Sequence, residues 1–182
     1  MITSKKELKF YLSEDKKRNY IKYLFFKKFT YCENYSIYLY LKTLRKYEYY
    51  LNTRKWYDVI LFLYYKILYR RNIVKTGMCI RPNTIGPGVQ IMHPGYRWID
   101  VMAHIGANCT ILPMVLLGKK KPGIEGTINI GDNCYISTGV TILGPVNIGN
   151  NVTIAAGAVV VNDIPDNCVV GGVPAKILKY KI

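Results

Sequence analysis

In the second half of this sequence an aliphatic residue returns at every sixth position, and that period limits the fold more than anything else in the chain. Ile124, Ile130, Ile136, Ile142, Ile148, Ile154 and Val160 form an unbroken series. The same register holds earlier for Ile99, Ile105, Ile111 and Leu117, and for Ile85 and Ile91. Four residues after members of the series come Ile128, Cys134, Val140, Val146, Val152, Ala158 and Ile164, nearly all small or β-branched. Gly follows the aliphatic residue at Gly86, Gly106, Gly118, Gly131 and Gly149, and Asn marks turns at Asn108, Asn133 and Asn150-Asn151. A period of six fits neither a helix nor the two-residue alternation of a hairpin meander. It calls for one short strand and one tight corner per repeat, with Gly and Asn taking the unusual backbone angles. Stacked repeats of this kind make a solenoid whose aliphatic residues fill one continuous interior, and no single repeat is stable alone.

Two interruptions break the count. Ile91 and Ile99 are eight apart, so two extra residues sit within His93-Pro94-Gly95-Tyr96-Arg97-Trp98. Leu117 and Ile124 are seven apart, through Gly118-Lys119-Lys120-Lys121-Pro122-Gly123. Insertions must leave the stack as loops, and loops on a rigid scaffold carry function more often than the scaffold does.

The first half differs in charge and pattern. Of the 182 residues, the 78 up to Met78 hold 18 Lys/Arg against 6 Asp/Glu, and 14 of the 17 Tyr, whereas residues 79–182 hold 8 against 5. This predicts two regions, a basic, Tyr-rich helical region at 1–78 and a repeat domain at 79–182. Lys5 to Tyr23, Tyr35 to Leu51 and Trp56 to Arg70 read as helices, with Ser13 and Asn34 as start signals and no Pro before Pro82. In the third stretch Tyr57, Ile60, Leu61, Tyr64, Tyr65 and Leu68 recur at helical spacing, which reads as a packing face with phenol tips at its rim. The competing reading is a basic, aromatic surface for an anionic partner such as membrane lipid, acidic glycan or nucleic acid.

Five Cys (Cys32, Cys79, Cys109, Cys134, Cys168), with no close pair and no zinc spacing, argue against a disulfide framework or structural zinc. Three of them fall at apolar repeat positions, as small buried hydrophobes do. The start of the chain is charged, and the longest apolar run, Val59 to Tyr65, is far short of the ~20 residues of a membrane span, so the chain reads as cytoplasmic.

These residues resemble the hexapeptide-repeat acyltransferases, in particular the serine acetyltransferase-like branch. The resemblance rests on IGPGVQIMHPG (Ile85–Gly95), IGANCTI (Ile105–Ile111) and the run from Ile128 that closes on Val-Gly-Gly-Val-Pro-Ala-Lys at Lys176. It covers roughly Cys79 to Lys179. It implies an all-β left-handed parallel β-helix preceded by a helical region, a homotrimer, and acetyl-CoA as co-substrate in the groove between neighbouring subunits, with no metal. Carried over residue by residue, His93 matches the catalytic histidine, a general base that takes the acceptor's hydroxyl proton. Lys176 matches a basic residue near the CoA phosphates, and Gly118 and Ala155-Ala156-Gly157 match places lining the pantetheine groove. His104, the other histidine, falls in a regular repeat and reads as an ordinary outward residue.

Three departures bear on the acceptor. Met92 stands where serine acetyltransferases carry Asp, Gly126 and Thr127 stand where they carry an Arg-His pair, and Cys79 aligns with the Asp that orients the catalytic histidine. The first two tilt the expected acceptor from L-serine toward a sugar hydroxyl of a surface polysaccharide or its precursor. The third leaves His93 to be oriented by a backbone carbonyl or by Asp100. The final Ile182 matches a terminal isoleucine that docks serine acetyltransferases into cysteine synthase. Other classes fit less well. A non-catalytic scaffold has no use for the loop histidine, β-helical carbonic anhydrases need three histidine ligands where this chain has two, and nucleic acid is not an expected partner. Peripheral membrane contact through the basic N-terminal region is compatible with catalysis.

Overall fold

The hexad series folds into rungs. The computed structural model describes residues 1–19, 33–123 and 125–181; the end of the first expected helix (to Tyr23), Cys32, Ile124 and Ile182 lie outside them. Fourteen short strands are described: β1 (Met78–Ile80), β2 (Gln90–Ile91), β3 (Arg97–Ile99), β4 (Ala103–Ile105), β5 (Thr110–Ile111), β6 (Val115–Lys119), β7 (Ile128–Ile130), β8 (Tyr135–Ile136), β9 (Thr141–Gly144), β10 (Val146–Ile148), β11 (Thr153–Ile154), β12 (Val159–Val160), β13 (Cys168–Gly171) and β14 (Lys176–Tyr180). They form three sheets, ordered β1-β3-β6-β9-β12, β10-β7-β4 and β14-β13-β11-β8-β5-β2. The chain visits the sheets in rotation, and every described pair is parallel except β13 with β14.

The register measures each pass. Thr153 pairs with Tyr135, Val160 with Ile142 and Val146 with Ile128, each 18 residues apart, or three hexads. Ile91 pairs with Ile111, 20 apart, which is the two-residue insertion expected around His93. Leu117 pairs with Ile142 and Ile105 with Ile130, 25 apart. The second excursion is therefore seven residues long, against the single extra residue that counting in sixes gives between Leu117 and Ile124.

Close approach between passes explains the glycines. A Cβ on Gly106 would lie 2.7 Å from the Gly131 carbonyl carbon, and one on Gly131 would lie 2.8 Å from the Asn150 nitrogen, so no side chain fits there. Asn83, Asn108, Asn133, Asn151 and Asn167 all take left-handed angles, φ +54° to +64°, at successive corners. The described aliphatic positions of the series are buried, and Cys109, Cys134 and Cys168 are free thiols buried among them.

Among the described residues three helices precede the strands: α1 (Lys5–Arg18), α2 (Glu33–Thr53) and α3 (Val59–Thr76), the last entered through a 3-10 turn at Trp56–Asp58. α1 starts at Ser4, not Ser13. Ser4 Oγ accepts the Glu7 N–H (3.1 Å) and Glu7 Oε2 accepts the Ser4 N–H (2.9 Å), a capping box. Ser13 lies inside α1, and Asn34 falls in the first turn of α2. α3 stops at Gly77, left-handed at φ +71°, whose N–H returns to the Ile73 carbonyl.

The helices and the strands share one core, in which Tyr40, Leu41 and Leu44 of α2 join Met78, Ile80 and Ile85. Arg45, fully buried on α2, pins the two regions together. It donates to Asp15 on α1 (2.8 Å), to Glu48 (3.1 Å) and to the carbonyls of Ile85 (2.8 Å) and Gly86 (2.6 Å). Burial opposes its charge, but the two carboxylates outweigh that and hold its pKa above the usual value. α3 packs inward through Phe62, Tyr65, Tyr69 and Ile73, and Tyr69 donates its hydroxyl to the Ile80 carbonyl at 2.7 Å. The expected stripe is therefore mostly on the wrong side: Tyr65 and Leu68 are half-buried, while Tyr57, Ile60, Leu61 and Tyr64 are exposed.

Candidate active site

Corners of the chain stack along one edge. Met92–Tyr96 joins β2 to β3, Leu112–Met114 joins β5 to β6, Ser137–Gly139 joins β8 to β9, Ala155–Gly157 joins β11 to β12, and Gly172–Ala175 leads from β13 to β14. Hydrogen bonds run from one to the next. The Met114 N–H donates to Tyr96 O (2.7 Å), Gly139 to Pro113 O (3.1 Å), Gly157 to Thr138 O (2.9 Å), and Val159 to Gly172 O (3.0 Å). His93 stands at one end of this edge, and Ala155-Ala156-Gly157 and Lys176 stand at the other. Four inter-strand steps of ~4.8 Å make the edge about 19 Å long.

His93 occupies the positive-φ region (+59°), which a non-glycine residue holds only when its surroundings impose it. Arg97 imposes it. Its guanidinium is fully buried beneath the loop and donates to the carbonyls of Met92, His93 (2.8 Å), Gly95 (3.2 Å) and Ile111 (3.3 Å), leaving only Nε without a partner. Burial pulls its pKa down to about 10, so it remains a cation at neutral pH. From the other side the Gly95 N–H donates to Thr76 O (3.1 Å), tying the loop to the end of α3.

The histidine ring is 65% exposed and has one side-chain partner, Glu33 Oε2 at the start of α2, 3.0 Å from Nδ1. With Nδ1–H donating to the carboxylate, the lone pair of Nε2 is left free to take a proton. Glu33 replaces the orienting groups expected from sequence. Asp100 instead accepts the Met102 N–H (3.2 Å) in the corner at the far end of β3, and Cys79 lies in β1 opposite Trp98. The His93 carbonyl serves Arg97, not the ring. Sequence reasoning missed both Glu33 and Arg97. Glu33 is the single acidic residue between Asp15 and Glu48, and Arg97 is the single cation in the first insertion; those were the available signals.

The other expected residues divide. Gly157 is left-handed (φ +69°) with nothing within 4 Å of where a Cβ would stand, so the edge is open there. Ala156 and Lys176 are exposed on the same edge, Lys176 opening β14. Gly118 is not on it: it is buried at the opposite end of β6 from Met114, beside Leu143. Lys119, Lys120 and Lys121 follow it and are exposed. His104 points outward from the middle of β4 and pairs with Asn129.

A family model described as bacterial transferase hexapeptide (six repeats) matches residues 127–162. The fold is similar to a serine acetyltransferase of Neisseria gonorrhoeae solved in complex with serine, at 29% identity and TM-score 0.71, over 97% of this chain and 71% of that one. The soybean serine acetyltransferase apoenzyme matches at 26% identity and TM-score 0.75, over 94% and 69%. By repeat and by fold, the chain is similar to the serine acetyltransferase-like hexapeptide-repeat acyltransferases. A serine acetyltransferase solved in complex with CoA shares the fold at 23% identity and TM-score 0.64, over 94% of this chain and 67% of that one. No curated protein sequence matches significantly. Among the described residues, no group of His, Cys, Asp or Glu is arranged to hold a metal ion, and no helix is long and apolar enough to cross a membrane.

Proposed function

We propose that this acyltransferase is an acetyl-CoA-dependent O-acetyltransferase built as a left-handed three-sided β-helix (residues 79–182) behind a helical region (1–78), and working as a trimer whose neighbour closes the open edge. The observation that carries the reading is the Glu33–His93 pair at the head of that edge. Glu33 fixes the ring through Nδ1, and His93 Nε2 takes the acceptor's hydroxyl proton as the oxygen attacks the thioester carbonyl. As the tetrahedral adduct collapses, the same Nε2–H returns its proton to the departing thiolate. A base so placed contributes about 10²–10⁴-fold. Acetyl-CoA supplies the activated acyl group. The exposed run of Ala156 and Gly157, with Lys176 beyond it, suits a thin pantetheine arm ending near a cation, and Gly118 has no part in that path.

The acceptor we favour is a sugar hydroxyl of a surface polysaccharide or its precursor. Gly126 carries the argument: at φ +123°, with a Cβ there only 2.8 Å from the Pro145 Cβ, the position accepts no side chain. The arginine expected of a serine-binding site therefore has no room. The second reading, L-serine, is favoured by the match to the serine-bound gonococcal structure. Thiol release from acetyl-CoA, measured with L-serine and with a panel of nucleotide sugars and oligosaccharides, decides between them. His93→Ala is expected to lower the rate at least about 10²-fold with fold and assembly mass unchanged; a near-full rate removes His93 from the mechanism.

A further inference from the structure

α3 is apolar on both sides. Its inner face is satisfied by α2 and the first strands, but the opposite face carries Ile60, Leu63, Tyr64, Ile67 and Val74, spaced i, i+3, i+4, i+7 and i+14, all exposed. Ile60 is 80% exposed, Val74 86%, and Trp56, at the head of the row, 84%. Soluble helices present a polar face to water, and a row of this kind marks a surface that meets something apolar.

Charge identifies the partner. Arg54 and Lys55 flank the row at one end and Arg70, Arg71 and Lys75 at the other, all exposed, and the half-buried Asp58 is the only acid from Arg54 to Thr76. A second copy of this face fits poorly. Both ends are basic, so parallel or antiparallel pairing sets like charges against each other. Nucleic acid would answer the charges but not the aliphatic centre. An anionic bilayer answers both. Aliphatic side chains enter the acyl boundary, Trp56 and Tyr57 sit at headgroup level, and the cations meet lipid phosphates.

We infer that the outer face of α3 lies flat on an anionic lipid surface and holds the enzyme there as a peripheral protein. The 18-residue helix gives a contact about 27 Å long. Its C-terminal end is the one bonded to the His93 loop, through Thr76 O and the Gly95 N–H. Docking therefore brings that loop toward the membrane plane, whatever the acceptor.

The test uses the full chain with sedimented vesicles of phosphatidylglycerol and phosphatidylcholine against phosphatidylcholine alone. Binding is expected to the anionic vesicles only and to weaken as salt rises. Replacing Arg70 and Arg71 together by Ala should weaken it roughly 30-fold, about fivefold per cation. Ile60→Glu with Ile67→Glu should abolish it while leaving the circular dichroism and melting point in place, because both residues are already exposed. Three results overturn the inference: no retention by anionic vesicles, retention that the Ile60/Ile67 pair does not change, or a fall in assembly mass caused by that pair without vesicles, which would make a second copy the occupant. Tighter binding to random RNA than to anionic vesicles also overturns it.

Discussion

Arg97→Met separates holding the catalytic loop from doing the chemistry. Methionine matches the length of the side chain and removes its charge and its donors. Four carbonyls lose a partner, but not equally. Ile111 O keeps the Met92 N–H at 3.2 Å, and His93 and Met92 lie at the surface, where water replaces the guanidinium. One or two interactions go uncompensated, at about 1–3 kcal/mol each, and relief of the buried charge returns part of that. The expected net loss of stability is about 2–4 kcal/mol, or roughly 5–15 °C in Tm for a chain of this size. The effect on catalysis is larger than this suggests, because Arg97 is the group bonded to the carbonyl of His93 itself, where φ is positive. A displacement of about 1 Å costs on the order of 10²-fold in kcat. KM for acetyl-CoA should hardly move, since Ala156, Gly157 and Lys176 lie in other passes of the chain. The assay is thiol release well below the variant's Tm, with kcat and KM resolved separately. Arg97→Lys, which reaches one or two of the carbonyls, should recover part of kcat. A folded Arg97→Met enzyme with wild-type kcat, or one altered in KM alone, would refute the reasoning.

Glu33→Gln should lower kcat about tenfold with little change in Tm, because the pair is exposed and contributes little to folding; an unchanged kcat would mean that the ring is oriented without the carboxylate. Ile136→Asp puts a charge into the fully buried interior and should leave no folded protein by circular dichroism, so a soluble, active assembly would show the register to be wrong. Glu7 has its pKa held down to about 2 by hydrogen bonds from Thr3 and Ser4. A depressed carboxyl stabilises above its usual pKa of 4.5, so the melting-point advantage of the native chain over Glu7→Gln should be full at neutral pH and fade between about 4.5 and 2. An advantage that persists below that window would place the effect elsewhere.

What could be read from the sequence follows from which constraints are local. A side chain every sixth residue is dictated by its own rung, so Ile136, Ile142 and Ile154 announce the sheets they fill. The place of His93 in an exposed loop was legible because an insertion must leave the stack and carry its residues out with it. Spacing could not tell which side of α3 faces in, since a helix with Phe62, Tyr65 and Tyr69 on one side and Ile60, Tyr64 and Ile67 on the other offers two apolar stripes. The choice between them was made by Tyr47 of α2, whose ring stacks on Tyr69 at 5.2 Å. Glu33 and Arg97 are opaque for the same reason. A lone acid in a basic stretch and a lone arginine in a loop both read as solvated charges until the fold sets one 3.0 Å from an imidazole and buries the other under its backbone.

That pairing also changes what the helical region is for. Glu33 opens α2, Arg45 on the same helix is locked to the carbonyls of Ile85 and Gly86, and Thr76 at the end of α3 holds Gly95. The proposed base is thus positioned by two helices and one buried arginine, while the repeats supply the long edge beneath it. A truncated chain beginning at the first strand would keep His93 and every residue of that edge, yet lose both the carboxylate at Nδ1 and the tie at Gly95. On the proposed mechanism the helices belong to the catalytic apparatus as much as the hexads do.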